Sequence, residues 1–136
     1  MSYFADAGDV YGTLGRMLEI LGEDEDLGIE RADTVVRNQY SDPDAVITIR
    51  LRPGEEVRVD FGASALEPEI VITMKADVAH RFWLGEVNVP LALAHGEMVA
   101  SGPTAKVLRL VPLLQAAFPR SRQLLTEHGR EDLTPV

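Results

Sequence analysis

The chain has no cysteine, and the histidines, serines and paired carboxylates that could do acid-base or nucleophilic chemistry are poorly spaced for it. The three histidines are His80, His95 and His128. Of these, His80 and His95 could converge with Asp77 or Glu97 on a metal, but no HExxH run or other tight ligand spacing accompanies them, and surface or helix-end roles describe them better. Gly62-Ala63-Ser64-Ala65-Leu66 begins like a nucleophile elbow. It lacks the closing glycine and follows a hairpin instead of opening a helix, so it is not read as a hydrolase site. Glu67 and Glu69 flank Pro68 in a turn, where alternation puts both in water with nothing to raise a carboxylate pKa. Gly8, Gly12 and Gly15 follow no strand and precede no Lys-Ser/Thr pair, so they are read as close helix packing and not as a phosphate loop. The expectation is no catalytic residue, no metal and no cofactor. If the chain were an enzyme, His80, His95 and Asp77 would be its candidates.

What remains is apolar surface. Ile47, Ile49, Val59, Phe61, Ile72, Met74, Phe82, Trp83, Leu91, Met98, Val111, Leu114 and Phe118 can all face one side of a sheet. Such a set is ordinarily a packed core. If part of it were left unfilled, it would line a ligand pocket, and flexible side chains such as Met74 and Met98 would suit a ligand of variable shape.

The elements that must position this set follow from periodicity. Val10, Leu14, Met17, Leu18 and Leu21 form one apolar stripe on an N-terminal helix that Gly22 stops. Gly12 and Gly15 weaken that helix by about 1 kcal/mol each, so burial must hold it. The acidic run Glu23 to Asp26 reads as a solvated loop, because a helix C-terminus favours cations. From Thr34 the period becomes two: Thr34 to Tyr40, Ala45 to Arg52 and Val57 to Phe61 read as strands, and Pro53-Gly54 makes the last two a hairpin. Ile70, Ile72 and Met74 follow on the next strand. Arg50, Arg52, Arg58, Asp60 and Lys75 would occupy the opposite, wetted face. Asp77 can cap a short helix whose Val78, Ala79, Phe82 and Trp83 point inward. A fifth strand, Glu97 to Ser101, precedes a helical region from Pro103 to Glu127, which Pro112 and Pro119 should divide into two or three short helices.

At 136 residues the chain reads as one domain, residues 1–136, large enough to bury a core without a metal or disulfide. Its core is expected over about 18–125, with 1–8 and 128–136 flexible. A formal charge of -9 repels polyphosphate and makes nucleic acid an unfavoured partner; anionic membrane is repelled too unless the basic residues cluster. No stretch approaches the roughly 18 uninterrupted apolar residues of a transmembrane segment. No secretion signal is legible at the N-terminus, and a cytoplasmic location is expected.

One run carries a family signal. Between Gly85 and Gly102, following Phe82, the order Gly85, Asn88, Ala92, Gly96, Gly102 resembles the sterol carrier protein family, in its stand-alone, bacterial-type form. There a short helix leads to a glycine, an Asn, an Ala, a Gly and a short strand closed by another Gly. Element order agrees from about Leu18 to Leu125. The resemblance implies an α/β (α+β) fold in which a five-stranded, mostly antiparallel sheet is covered on one face by helices around an apolar tunnel or core. Gly85, Gly96 and Gly102 would be structural glycines, and the apolar set above would line the tunnel. It implies binding of lipids, fatty acids, sterol-like molecules or acyl-CoA esters without chemistry of its own. Two features depart from the family pattern. Glu97 stands where the strand between the last two glycines is often basic, which makes acyl-CoA phosphates and anionic membranes poorer partners. Pro112 and Pro119 also alter the helices that close the tunnel.

Two functions are therefore expected in order: a non-enzymatic carrier or sensor of an apolar small molecule or lipid, and, as the alternative, an interaction module with a filled tunnel that forms a homodimer or binds a protein partner.

Overall fold

A computed structural model describes residues 4–24, 27–120 and 123. His128, residues 1–3 of the expected flexible tail 1–8, the whole of the expected tail 128–136, and Leu124 to Glu127 of the last expected helix lie outside the described residues.

The N-terminal stripe forms a continuous helical run of three pieces: α1 (Ala7–Val10), a π-helical turn (Tyr11–Gly15) and α2 (Arg16–Glu23). Asp6 caps it, its carboxylate accepting from the Asp9 amide at 2.9 Å. Gly22 does not stop this helix, which runs to Glu23 before Asp24 turns extended. The glycines serve proximity instead. A Cβ at Gly15 would come within 2.6 Å of the Phe61 ring, and one at Gly22 within 2.7 Å of Val57. Residue 4, expected to be loose, belongs to the core: Phe4 is 2% exposed and packs edge-on against His80. A short 3-10 helix (Ile29–Ala32) leads into the sheet.

Five strands follow: β1 (Thr34–Ser41), β2 (Ala45–Leu51), β3 (Arg58–Phe61), β4 (Ile70–Lys75) and β5 (Met98–Ser101). Their spatial order is β3-β2-β1-β4-β5. β1 pairs antiparallel with β2 and parallel with β4, while β2–β3 and β4–β5 are antiparallel, so the sheet is mixed with antiparallel pairs in the majority. The parallel pair requires a crossover, and the segment from Gly62 to Glu69 provides it. It crosses the outward face, where Leu66 accepts a hydrogen bond from Arg37 at 3.0 Å and the Glu69 amide donates to Val35 at 2.8 Å. That face is consequently less wet than its charges imply: Thr48 there is fully buried.

The helices α3 (Ala76–Trp83), α4 (Val89–Ala94) and α5 (Thr104–Gln115) complete the fold. α3 begins directly at the end of β4 with Lys75 at the cap position, so Asp77 sits in its first turn and does not cap it. Gly85, at φ +78°, ends α3, and Asn88 caps α4, its Oδ1 accepting from the Leu91 amide at 3.2 Å. Ala92 is buried at 4% exposure, and Gly96 (φ +76°) turns the chain into β5. At Gly102 (φ +133°) a side chain would run into the Glu69 carbonyl. The family-like punctuation at Gly85 and Gly96 is thus local backbone geometry, while Gly102 also makes room for the backbone before β4. Pro112, expected to break the last helix, lies inside α5, and the interruption comes at 116–117. Pro112 is exposed, where the carbonyl it leaves without a donor can meet water.

Candidate functional site

The inward-facing residues of the sheet split into a sealed part and an unfilled part. The unfilled part is an apolar cavity of about 60 Å3. Alternation brings Val36, Asn38 and Tyr40 of β1, Ile49 and Leu51 of β2, Ile72 and Met74 of β4, and Met98 of β5 to its floor. Its roof is built at helical spacing: Leu18 and Ile29 at one end, Ala79, Phe82 and Trp83 from α3, Val89 opening α4, and Val107, Leu110, Val111 and Leu114 from α5. Asn38 and Tyr40 are polar and Trp83 carries an indole N–H; the other lining side chains are apolar, and none is charged.

Of the expected set, Ile49, Ile72, Met74, Phe82, Trp83, Met98, Val111 and Leu114 meet at this cavity. Five do not. Ile47 is fully buried in the sealed core under the N-terminal helices, and Val59 is half-buried against that core. Phe61 stacks on Tyr11, with ring centroids 5.2 Å apart, and is 40% exposed; β3 is the sheet edge, and its apolar residues meet the N-terminal helical run. Leu91 is 53% exposed, because α4 turns its Ala92 side inward and leaves Leu91 in solvent. Phe118 stands behind the wall, edge-on to Phe82 at 5.2 Å and to Trp83 at 6.1 Å, and over Gly85. Sequence reasoning passed over Leu18, Val36, Asn38, Tyr40, Leu51 and Val107, among others. Val36, Asn38 and Tyr40 share a period of two, but the polar Asn interrupts the apolar count that would have flagged the strand.

Asn38 and Tyr40 sit two residues apart on β1. Asn38 donates through Nδ2 to the Ile47 carbonyl at 3.3 Å. Tyr40 is 6% exposed, and burial raises its phenol well above the ordinary value because the phenolate would be stranded from water.

One charged cluster lies beside the cavity roof. Glu69 accepts from Arg52 at 2.6 Å and from the Lys106 ammonium of α5; Arg52 also reaches Asp33 at 3.1 Å, and Lys106 donates to the Asp33 carbonyl at 3.3 Å. Glu69, expected in water, is therefore two-thirds buried between two cations, and its carboxyl is held below its ordinary value first by Lys106 and then by Arg52. The cluster ties the first turn of α5 to the near end of β4.

The residues weighed for chemistry do not assemble. His80 is 1% exposed within the core, while His95 is exposed in the turn between α4 and β5. Ser64 donates to Asp60 at 2.6 Å and accepts from the Leu66 amide at 3.1 Å, which fixes a loop and, with Arg58, keeps the Asp60 carboxyl below its ordinary value. Among the described residues, no group of three or more histidines and carboxylates is placed to hold a metal. No helix among them is long and apolar enough to cross a membrane.

No protein-family profile matches the sequence, and no curated protein matches it. Solved structures do match. The sterol carrier protein domain 2 of Helicoverpa armigera superposes with a TM-score of 0.70 at 17% identity, over 88% of this chain and 97% of that one. Sterol carrier protein 2 from Yarrowia lipolytica, in its apo form, gives 0.61 at 14% identity, over 82% and 91%. A stereoselective inverting sec-alkylsulfatase from Pseudomonas sp. gives 0.55 at 17% identity over 66% of this chain, but that match spans 14% of the sulfatase. With a five-stranded mixed sheet covered by helices and these superpositions, the chain has the sterol carrier protein fold.

Proposed function

We propose that this chain binds an apolar, lipid-like molecule in the cavity between the sheet and α3–α5, as a carrier or sensor that performs no chemistry on it. The observation that carries the reading is the cavity wall, uncharged, apolar except for Asn38, Tyr40 and the indole N–H of Trp83, and contributed by both layers of the fold. The fold similarity to sterol carrier proteins supports it. At about 25 cal/mol per Å2, covering a few hundred Å2 of hydrocarbon supplies several kcal/mol before ordering costs, enough for micromolar binding without ionic contacts.

The cavity must widen to do this. About 60 Å3 holds a few water-sized molecules, whereas ligand sites run to several hundred Å3. Met74 and Met98 can change rotamer at small cost. α5 can move as a flap, since Val107, Val111 and Leu114 are only partly buried. Native mass spectrometry of freshly purified protein, repeated after denaturation with extraction of the released material into organic solvent, tests the reading. A lipid-sized adduct that disappears on denaturation is the expected result. A clean apo mass, with no uptake of fatty alcohol or sterol at tens of micromolar, would overturn it.

A second reading has an observation of its own. Leu91, Leu93 and Val99 are exposed at 53%, 38% and 55% around the free edge of β5, and the small cavity fits a filled tunnel. On that reading the chain is a dimerisation or protein-interaction module, and sedimentation at several concentrations would show self-association.

A further inference from the structure

The polar groups in the cavity wall are arranged as though something were missing from them. Asn38 and Tyr40 point to the same face of β1, and both line the cavity. Asn38 spends one amide hydrogen on the Ile47 carbonyl, which fixes its orientation: the nitrogen faces that carbonyl, and Oδ1 must be the other atom of the amide. Among the described residues, neither this Oδ1 nor the Tyr40 hydroxyl meets a hydrogen-bond partner. Tyr40 is 94% removed from solvent, since it is 6% exposed. The Tyr40 hydroxyl is not among the fully enclosed atoms that lack a partner; it opens onto the cavity, whose apolar wall offers it no hydrogen bond, and phenylalanine would fill the same space with no polar group to satisfy. The asymmetry points to a partner that arrives with the ligand.

We propose that the Tyr40 hydroxyl, with the Asn38 carboxamide oxygen as a second polar point on the same strand, anchors an uncharged oxygen group of the bound lipid, so that the site selects neutral oxygenated lipids over hydrocarbons and over carboxylates. The inference rests on the cavity being the binding site. Its chemistry follows from the donor set. The phenol donates one hydrogen bond, which an alcohol, ketone or ester oxygen accepts; an alcohol can in turn donate to an amide oxygen. A carboxylate would also accept from the phenol, but no cationic side chain lines the cavity to offset its desolvation. An alkane leaves both polar groups as they are.

Trp83 in the wall reports occupancy through its fluorescence. The full-length protein and its Tyr40→Phe variant are titrated with hexadecanol, hexadecane and hexadecanoate, each delivered from cyclodextrin, at about pH 8, where the acid is ionised. The expected order for the wild type is hexadecanol tightest. Tyr40→Phe should weaken hexadecanol by about three- to tenfold, the size of one net hydrogen bond, and leave hexadecane within about twofold. Its melting temperature should be nearly unchanged, because the hydroxyl opens onto the cavity and the substitution breaks no hydrogen bond among the described residues. If the variant shifts alcohol and alkane alike, or shifts neither, the anchor is wrong while cavity binding stands. If hexadecanoate binds as tightly as hexadecanol, the selectivity for uncharged groups is wrong. If none of the three perturbs Trp83 or co-migrates with the protein, the binding reading fails and the anchor falls with it.

Discussion

Two halves of one sheet face behave differently. Under the N-terminal helical run, Val10, Leu14, Leu21 and Ile47 are at most 1% exposed, although Leu18 of α2 reaches the cavity roof. Under α3–α5, the continuation of the same strands meets a cavity. The dividing line runs between neighbours: on β2, Ile47 is in the sealed part, while Ile49 and Leu51 line the void. Hydrophobicity does not separate the halves, since both are aliphatic. The approach of the covering helix does. Gly15 and Gly22 let the N-terminal run sit directly on Phe61 and Val57, whereas α5 presents branched side chains and is tied to the sheet by the Glu69 cluster at its first turn.

The comparison breaks most visibly in the sealed half. Leu21→Ala should lower unfolding free energy by about 2–5 kcal/mol in urea denaturation, because a fully buried side chain leaves a void its neighbours cannot fill. Met74→Ala, on the cavity wall, should sit at the bottom of that range, about 2 kcal/mol, because a side chain that already faces empty space has fewer contacts to lose. It should also increase uptake of hexadecanol as followed by Trp83. Equal losses in the two variants would erase the distinction between the halves.

The α5 attachment gives a smaller, pH-dependent effect. Glu69 is held below its ordinary value of 4.5, so its contribution is fully present above that value and is lost as pH falls through the lowered one. Glu69→Gln should cost about 1 kcal/mol at neutral pH, a modest figure because a third of the side chain meets solvent, and should flatten the loss of stability on the acid side. Hydrogen exchange should speed up in α5 before it does in α2. The smallest effect is expected at the β5 edge. Replacing Leu91 and Val99 with serine should change stability by no more than about 0.5 kcal/mol each. If these changes also abolish a concentration-dependent dimer in sedimentation, the interaction module gains the support that the carrier loses.

Much of the architecture was legible residue by residue. Strand alternation in Ile47, Ile49, Leu51 and in Ile70, Ile72, Met74 reports burial directly, because a pleated strand has a fixed period. Helix boundaries were less secure. Asp77 had the right type for a cap, but β4 runs straight into α3 and moves the cap position to Lys75. Pro112 had the right type for a break, but an exposed helix face tolerates it. The cavity was half legible: Ile49, Ile72, Met74, Met98, Phe82, Trp83, Val111 and Leu114 of the expected set line it, while Val36, Asn38, Tyr40 and Leu51 were passed over and Ile47, Val59, Phe61, Leu91 and Phe118 lie elsewhere, because periodicity gives the face of an element and not what stands opposite it.

By itself, then, the sequence determined the order and type of elements, the glycine-punctuated turns at Gly85, Gly96 and Gly102, and the absence of any residue spacing suited to metal or nucleophilic chemistry. Each of these is local, set by side-chain type and backbone freedom within a few residues. Only the tertiary structure decided where β1 lies, at the sheet centre between β2 and β4, and therefore that Asn38 and Tyr40 look into the void. It alone decided that Glu69 meets Lys106 from 37 positions away. The size of the cavity is likewise a difference between two packed surfaces brought together from distant parts of the chain, and no local pattern encodes the gap that remains between them.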